Sequence, residues 1–303
     1  MHQRVAAIND LSGLGRCSLT ADIAVLAAMG IEACPLPTAV LTSQTGYPGY
    51  RSVSFTEQMD SCREHWQQLQ VSFKGILSGY LANPEAAFHI RDFLEAFHGP
   101  GVLYLCDPVL GDNGHVYRGF TDRSIQAVRQ LALQADLLTP NFTEFCILTG
   151  TEMDPLQQMG RDDPEELFRT LSRKAACFSE KALVITGIPL LKEENRPLLC
   201  NLILQQGNRT PVCFPHLGGT YSGTGDLFAA VLMGSLLQQR TLEQGVRLAG
   251  RLISRGIADA RQENVSCNDG INYEPYLGML APPPSSDAQR AESSQYIFER
   301  KEC

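Results

Sequence analysis

The residues of this chain best suited to chemistry lie in a glycine-rich run just before an apolar stretch. The run reads Gly218-Gly219-Thr220-Tyr221-Ser222-Gly223-Thr224-Gly225-Asp226, and residues 227–232 that follow it are all apolar. Glycines let backbone N–H groups converge on an anion, and the start of a helix adds the positive end of its dipole. The run predicts an anion hole for a transferring phosphoryl group, formed by Gly223, Thr224 and Gly225.

Asp226 closes this run and is the candidate general base for the attacking hydroxyl. The alternative is an aspartate that only caps a helix or complements its dipole, which would stabilise the fold by about 1 kcal/mol. A cap needs no glycine on both sides of a threonine, so the catalytic interpretation is favoured.

A second polar cluster, Thr139-Pro140-Asn141-Phe142-Thr143-Glu144, stands where a predicted strand ends and a helix begins. Asn141 and Glu144 have the spacing of a capping box, with an N-cap residue and a carboxylate three positions later. The same geometry would let these two side chains hold Mg²⁺-bound water and phosphate oxygens. The local sequence leaves both interpretations open.

A third cluster, Cys106-Asp107-Pro108-Val109-Leu110-Gly111-Asp112, also follows an apolar strand. Asp112 fits an ordinary turn rich in Asp, Asn and Gly. Asp107 ends a buried strand, where ligands of parallel sheets bind. Because Mg²⁺ prefers a few carboxylates together with waters and substrate phosphates, Asp107 is a candidate metal ligand.

Short β-rich runs alternate with helical patterns along most of the chain, which predicts an α/β fold with a mainly parallel sheet and helices on both faces. Predicted strands cover residues 5–8, 73–77, 102–106, 136–139 and 183–186, and 199–204 and 212–214 are predicted as antiparallel edge strands. One helix is predicted to start at an N-cap Ser18. Further helices are predicted over residues 55–69, 84–97, 122–134, 164–178, 224–238 and 242–260.

The composition of the chain excludes several classes of function. The 303 residues carry a net charge of −8, which leaves no electrostatic footprint for nucleic acid or an anionic membrane. No apolar run approaches the roughly 18–20 residues that span a bilayer, and no signal peptide is recognisable, so a cytoplasmic protein is expected. The ten cysteines include no C-x-x-C pair, which favours reduced core thiols over a disulfide framework or a metal site.

Domain organisation follows from the same patterns. No repeat or linker divides the chain, so residues 1–280 are predicted to form one kinase-type domain. Residues 281–303, with their run of three prolines and two serines, are predicted to form a loosely ordered tail, although residues 295–300 could instead add a short helix.

The chemical motifs stand in an order that resembles the ribokinase-like superfamily and, within it, the pyridoxal kinase family. The resemblance runs with gaps from Arg4 to about Ala260. It rests on the Pro37–Tyr47 segment that includes Thr45, on Ser78-Gly79-Tyr80-Leu81, on the D-P-V-x-G-D element at Asp107, on T-P-N-x-x-E at Thr139, and on G-T-G-D at Gly223. G-T-G-D alone is typical of the whole superfamily, and the combination narrows it.

This resemblance implies a role for each matching residue. Asp226 would be the base and Gly223, Thr224 and Gly225 the anion hole. Metal binding would fall to Asp107 and Glu144, and nucleotide binding to Asn141, Glu144, Thr186 and Tyr117. Thr45 and Tyr80 would contact the substrate ring, and Asp10, which departs from the family pattern, would lie in the same substrate pocket. The implied cofactors are ATP and Mg²⁺, with K⁺ as a supporting ion, and the implied assembly is a homodimer.

Two positions depart from the family pattern and leave the substrate open. Asp10 stands where the family usually has serine, and Gln44 where it usually has histidine. A carboxylate at position 10 favours a cationic or amine-bearing ring partner, which fits a B6 vitamer or the aminopyrimidine of hydroxymethylpyrimidine. The kinases of hydroxymethylpyrimidine usually have cysteine at the position of Asp226, which favours the pyridoxal branch. A non-catalytic vitamer-binding protein is the remaining alternative, although such a protein would be expected to have lost the base or the glycines.

Overall fold

The computed structural model describes residues 3–178, 181–192 and 196–282. Within these ranges the strands are β1 (Arg4–Ser12), β2 (Glu32–Leu41), β3 (Ser52–Ser54), β4 (Gly75–Ser78), β5 (Leu103–Cys106), β6 (Gly111–Asp112), β7 (His115–Val116), β8 (Leu137–Leu138), β9 (Ala182–Lys192), β10 (Arg196–Gln205) and β11 (Asn208–Pro215). The α-helices are α1 (Ser18–Ala28), α2 (Thr56–Gln68), α3 (Ala86–Phe97), α4 (Asp122–Ala132), α5 (Phe142–Thr149), α6 (Met153–Asp162), α7 (Pro164–Lys174), α8 (Thr224–Leu237) and α9 (Leu242–Gln262).

In the described part of the chain, nine strands form one sheet in the order β11-β10-β9-β8-β5-β4-β1-β2-β3. The six strands from β9 to β2 in this order pair in parallel. The antiparallel pairs are at the two edges, where β3 joins β2 and the β10–β11 hairpin joins β9. The predicted mainly parallel sheet with antiparallel edge strands at β10 and β11 is confirmed.

Two hydrophobic cores lie on opposite faces of this sheet, which confirms helices on both. One core gathers buried side chains from α2 to α7, such as Phe93, Phe145 and Leu167. The other gathers side chains from α1, α8 and α9, such as Leu26 and Val246. Helix α8 is apolar all round because it is buried between the sheet and α9.

Several details differ from the sequence-based predictions. The N-cap of α1 is Cys17, and Ser18 is the first helical residue with the unusual φ of 53°, so the predicted N-cap Ser18 is wrong. The structure also contains the strand β2 and the helices α5 and α6, for which the sequence analysis gave no ranges. The tail predicted for residues 281–303 lies outside the described residues from position 283 onward.

The state of the cysteines also differs in part from the prediction. Cys200 and Cys213 face each other across the β10–β11 pair and are joined by a disulfide, so the prediction of reduced thiols is wrong for these two. Cys106 and Cys146 are buried free thiols, as predicted. Among the described helices, none is long and apolar enough to cross a membrane.

Candidate active site

Polar side chains meet where the parallel strands reach their carboxyl ends. Asp10 lies at the end of β1, Tyr80 follows β4, Asp107 follows β5, Asn141 follows β8, and Thr186 lies in β9 beside Asn141. Because these strands are parallel neighbours in the sheet, their ends form one edge. The structure therefore brings predicted site residues from five strands to the edge where ligands of such sheets bind.

Asp226 enters this edge from the first turn of α8. Its Oδ2 accepts a hydrogen bond from the backbone N–H of Ser18 at 2.8 Å, and its Oδ1 accepts one from Asn9 Nδ2 at 3.0 Å. The N-cap position of α8 is Gly223, which makes no side-chain capping bond. The Asp226 carboxylate instead accepts from the backbone N–H at the start of α1. It thus lies between the positive ends of two helices.

Burial raises the pKa of Asp226 to about 6, while the hydrogen bonds from Ser18 and Asn9 act in the opposite direction. The residue keeps part of its surface exposed, and the neighbouring Gly225 is exposed. A carboxylate with this pKa is ionised at neutral pH, is more basic than an ordinary aspartate, and can be reached by a ligand.

Gly223 fixes the entry of the chain into α8. Its φ is 82°, and a Cβ at this position would stand 2.0 Å from the carbonyl oxygen of Arg16. Only glycine combines this left-handed backbone with so close an approach to another backbone segment. The same constraint holds the backbone N–H groups of Thr224 and Gly225 at the carboxyl edge of the sheet.

Asp107 is close to the same helix start. Its Oδ1 accepts a hydrogen bond from Thr139 Oγ1 at 3.0 Å, and a Cβ added to Gly225 would lie 3.5 Å from its Oδ2. The side chain is only 7% exposed. Burial, and next the negative charge of Asp226, raise the pKa of Asp107 to about 7.

Asn141 and Glu144 form the capping box at the start of α5. The Asn141 side chain accepts from the Glu144 N–H at 2.9 Å, and Glu144 Oε2 accepts from the Asn141 N–H at 2.8 Å. Glu144 Oε1 also accepts from the Leu110 N–H at 3.1 Å. Burial and the Asp107 charge raise the pKa of Glu144 well above its usual value. The structural interpretation of this motif is confirmed, and the same two residues stand at the ligand edge beside Asp107.

Thr186 and Tyr117 flank this group. The Thr186 N–H donates to the carbonyl oxygen of Pro140 at 2.9 Å, which places Thr186 beside Asn141. Tyr117, 41% exposed, follows the small β6–β7 hairpin. Burial and then the charge of Glu144 raise the pKa of Tyr117, so its hydroxyl lies within electrostatic reach of the carboxylates.

The predicted ring-contacting residues are only partly brought together. Asp10 lies at the irregularity that separates the β1–β2 register at Asn9 and Leu11, and bulges of this kind redirect side chains beside active sites. Burial raises the pKa of Asp10. Burial, and then the charges of Tyr50 and Asp10, raise the pKa of Tyr80, so Asp10 and Tyr80 are neighbours. Thr45 is exposed, and no described hydrogen bond joins it to the others.

Two residues that the sequence analysis did not select also belong here. Asn9 is 2% exposed, and its side chain contacts both Asp226 and Asp22. Asp22 is 1% exposed and is the one charged residue of helix α1. A carboxylate four positions after the helix start, among apolar residues, is the signal that could have indicated it, because carboxylates are seldom buried without a reason.

The carboxylates at this edge of the sheet form an acidic group that suits a cation. Asp107, Glu144 and Asp226 raise one another's pKa values or those of their neighbours, and none of the three has an ion pair in the described part of the chain. No group of three or more metal-ligating side chains occurs among the described residues. One or two buried carboxylates with room for phosphates and water are what Mg²⁺ accepts at a nucleotide site, so the residues fit this ion.

A separate cavity lies at the other edge of the sheet. It has a volume of about 790 Å³ and is lined by residues that include Lys74, Leu103, Asp136 and Ala182. These residues stand at the amino ends of β4, β5, β8 and β9, which is the edge opposite the carboxylates. This cavity is therefore separate from the candidate active site.

The buried carboxylates predict a stability cost that depends on pH. Since folding raises the pKa of Asp107 from 3.8 to about 7, the folded state loses stability as pH rises through this window. Asp107→Asn, whose amide oxygen can still accept from Thr139, is expected to raise the Tm at pH 8 by about 2–4 °C for each kcal/mol regained. The gain should vanish near pH 4, and thermal unfolding at both pH values measures it. A gain that is larger at pH 4 than at pH 8 would contradict the prediction.

Comparison with known proteins agrees with this geometry. The family described as phosphomethylpyrimidine kinase matches residues 15–271. A Bacteroides thetaiotaomicron protein assigned to these kinases, and crystallised with pyridoxal, is 35% identical with a TM-score of 0.81 over 92% of this chain and 96% of its own. Pyridoxal kinase from Lactobacillus plantarum is 28% identical with a TM-score of 0.78 over 92% and 96%. BUD17 of Saccharomyces cerevisiae, a provisional pyridoxal kinase, is 30% identical over 184 residues, which span 58% of this chain and only 55% of that protein.

The sheet order and the glycine-rich start of α8 beside buried carboxylates define a small-molecule kinase of the ribokinase-like superfamily. The match over residues 15–271 is specific enough to go further: the chain belongs to the phosphomethylpyrimidine kinase family, with pyridoxal kinases among its relatives.

Proposed function

We propose that this protein uses ATP to phosphorylate the 5′-hydroxymethyl group of a B6 vitamer, which is pyridoxal, pyridoxamine or pyridoxine. The observation that carries the proposal is the position of Asp226, held between the starts of α1 and α8 and next to Asp107 at the carboxyl edge of the sheet. The similarity to a relative crystallised with pyridoxal and to a pyridoxal kinase supports the choice of substrate.

In the proposed reaction Asp226 removes the proton of the vitamer hydroxyl. Both of its oxygens already accept one hydrogen bond, which fixes the carboxylate while leaving lone pairs for the incoming proton. The backbone N–H groups of Gly223, Thr224 and Gly225, together with the α8 dipole, would stabilise the negative charge on the phosphoryl group during transfer.

The nucleotide would occupy the edge between β5 and β9. We assign Asp107 and Glu144 to Mg²⁺, which when bound neutralises phosphate charge, and Asn141, Glu144, Thr186 and Tyr117 to the nucleotide. The described contacts that support this assignment are the Thr139 hydroxyl on Asp107, which leaves Asp107 Oδ2 unbonded, and the capping box that fixes Asn141 and Glu144. K⁺ as a supporting ion is proposed on the family resemblance alone.

The vitamer ring would lie near Asp10, Tyr80 and Thr45. Residues 42–50 would close over it and exclude water, which limits ATP hydrolysis. This segment is tied to the short 3₁₀ helix Cys267–Asp269 after α9, because Gln44 Nε2 donates to the Asn268 carbonyl at 3.1 Å and Asn268 Nδ2 donates to the Gly46 carbonyl at 3.0 Å. We also propose one kinase domain over residues 1–280, a homodimer and a cytoplasmic location.

The charge of Asp10 should govern the choice among vitamers. Asp10→Ser is expected to lower kcat/KM for pyridoxamine more than for pyridoxal, because only pyridoxamine presents an aminomethyl group to position 10. The two values are compared by steady-state kinetics. Ser12→Ala is the matched control, since it removes one hydroxyl that donates to Asp10 but keeps the carboxylate. Equal losses for both vitamers in Asp10→Ser would contradict the role of Asp10.

A substrate panel tests the proposed function. ADP release is measured with pyridoxal, pyridoxamine, pyridoxine and hydroxymethylpyrimidine, and the highest kcat/KM is expected for a B6 vitamer. The description of the matched family makes hydroxymethylpyrimidine the rival substrate. A higher kcat/KM for hydroxymethylpyrimidine would replace the proposal by that activity, and tight vitamer binding without ADP would indicate a binding protein.

A further inference from the structure

Asn9 is the link between Asp226 and the sheet. Its Nδ2 donates one hydrogen bond to Asp226 Oδ1 at 3.0 Å and another to Asp22 Oδ2 at 3.1 Å. Its Oδ1 accepts from the backbone N–H groups of Asp10 at 3.0 Å and Tyr80 at 2.9 Å. A side-chain amide has two donors and two acceptor lone pairs, so all of its capacity is used.

The backbone around Asn9 is shaped to admit this amide. A Cβ added to Gly79 would stand 2.5 Å from Asn9 Nδ2, so any larger residue at position 79 would displace the amide. Gly79 belongs to the Ser78-Gly79-Tyr80-Leu81 motif, and the Tyr80 N–H that follows it binds the same amide. The absence of a side chain at Gly79 therefore leaves the space that the Asn9 amide occupies.

Asp22 is the least explained of the residues around Asn9. It lies one turn after Ser18 in α1, so both residues face the same side of the helix and reach Asp226, one through its backbone N–H and the other through Asn9. Its Oδ2 accepts from Asn9, and its buried Oδ1 has no hydrogen-bond partner among the described residues. A carboxyl group this deeply buried does not contribute to solvation of the surface.

We propose that Asp22 is a positioning residue for Asp226: it holds one N–H of the Asn9 amide and thereby directs the other N–H at Asp226 Oδ1. The inference rests on the proposed function, in which Asp226 is the base. Without an acceptor at position 22, one buried N–H of Asn9 loses its partner, and the amide turns away from the orientation that holds Asp226.

The charge around Asp22 indicates the form in which it acts. The groups that face it from other elements are Asp226 of α8, Asp107 after β5, Asp10 of β1 and Tyr273 after α9, and none of them is cationic. Burial, and then the charge of Asp226, raise the pKa of Asp22 well above its usual value. The protonated form of Asp22 is therefore favoured more than in an ordinary aspartate, and an uncharged oxygen at this position can serve as the acceptor for Asn9.

A pair of variants separates positioning from charge. Asp22→Asn keeps an uncharged oxygen that can accept from Asn9, so its kcat should stay close to that of the wild type. Asp22→Leu has similar size but no acceptor, and a displaced catalytic group can cost up to about 100-fold in kcat. The KM values for pyridoxal and ATP should stay unchanged in both variants. Asp92→Leu, on α3 and away from the site, is the matched control for the substitution itself.

A second readout does not depend on turnover. With ¹⁵N-labelled asparagine, the Asn9 side-chain amide is assigned by its loss in Asn9→Ser, and its exchange with solvent is measured by NMR. Slow exchange is expected in the wild type and Asp22→Asn, and faster exchange in Asp22→Leu. If the enzyme phosphorylates none of the tested substrates, the proposed function fails while the exchange rates still report whether Asp22 holds Asn9.

The outcomes are decisive in both directions. Wild-type kcat and slow amide exchange in Asp22→Leu would overturn the proposal, and so would an Asp22→Asn variant as impaired as Asp22→Leu. If Asp22→Leu does not fold, the smaller substitution Asp22→Ala replaces it, because alanine also offers no acceptor to Asn9. The same loss of kcat and the same faster exchange of the Asn9 amide are expected, and wild-type kcat with slow exchange in Asp22→Ala would overturn the proposal.

Discussion

Asp226→Asn is expected to lower kcat for a B6 vitamer by roughly 10²- to 10⁴-fold, which is the range of rate gain that a general base supplies. The variant keeps the size of the side chain but cannot take the hydroxyl proton. The KM values for vitamer and ATP should change little, because the Asp226 carboxylate is assigned to the transition state rather than to ground-state binding. Steady-state kinetics with each substrate varied in turn measures the effect.

Asp112→Asn is the matched control for that variant. Asp112 also lies near the carboxyl edge of the sheet, but its two oxygens accept hydrogen bonds from its own neighbour Asn113. Its kcat should remain close to that of the wild type. Equal turnover of Asp226→Asn and the wild type would remove Asp226 as the base, whatever the substrate.

Gly223→Ala should be the other severe substitution. The residue has a φ of 82°, and its new Cβ would stand 2.0 Å from the Arg16 carbonyl oxygen, which is backbone and cannot rotate away. The start of α8 must therefore move, and the N–H groups of Thr224 and Gly225 move with it. Loss of one donor from an anion hole costs about 10²–10³-fold in kcat, so a loss of at least this order is expected.

Gly207→Ala distinguishes this loss from the general cost of a left-handed alanine. Gly207 has a φ of 77° in the turn between β10 and β11, and a Cβ there would have no neighbour within 4 Å. It should lower the Tm but leave kcat unchanged. If Gly223→Ala and Gly207→Ala lower Tm alike and both retain kcat, the backbone at Gly223 has no part in catalysis.

The sequence was sufficient to predict a mainly parallel sheet and to place Asp107, Asn141 and Asp226 at its carboxyl edge. Strand–helix alternation predicts a parallel sheet, and Asp107, Asn141 and Asp226 each follow a recognisable strand end or glycine run, so their convergence follows from topology alone. The capping-box spacing of Asn141 and Glu144 was also readable, because a cap involves only residues close in sequence.

What the sequence could not supply depends on contacts between distant segments. The bond from Asn9 to Asp226 joins residues 217 positions apart, and no local pattern distinguishes Asn9 from an ordinary polar strand end. The Cys200–Cys213 disulfide depends on the register of the β10–β11 pair, which a Cys count does not define. The N-cap of α1 is Cys17 and not the predicted Ser18, because the carboxylate of the distant Asp226, rather than a local side chain, accepts from the N–H group at the helix start.

Asp226 and its network also explain a tension between stability and function. Several carboxylates are buried without an ion-pair partner among the described residues, which raises their pKa values and destabilises the fold at neutral pH. In the proposed function, the same arrangement would suit the positive charge of a bound metal ion and would give Asp226, as the base, a pKa near neutrality. The cost in stability is therefore the expected accompaniment of a phosphoryl-transfer site.

The most direct test of the central claim is to identify the product formed from pyridoxal and ATP in the presence of Mg²⁺. Mass spectrometry and ³¹P NMR, with ADP measured in the same reaction, give the site and stoichiometry of transfer. The account predicts pyridoxal 5′-phosphate and ADP in equal amounts. Formation of ADP without phosphorylated pyridoxal would contradict it. So would a reaction with pyridoxal that forms no ADP, if the protein phosphorylates hydroxymethylpyrimidine efficiently in a parallel reaction.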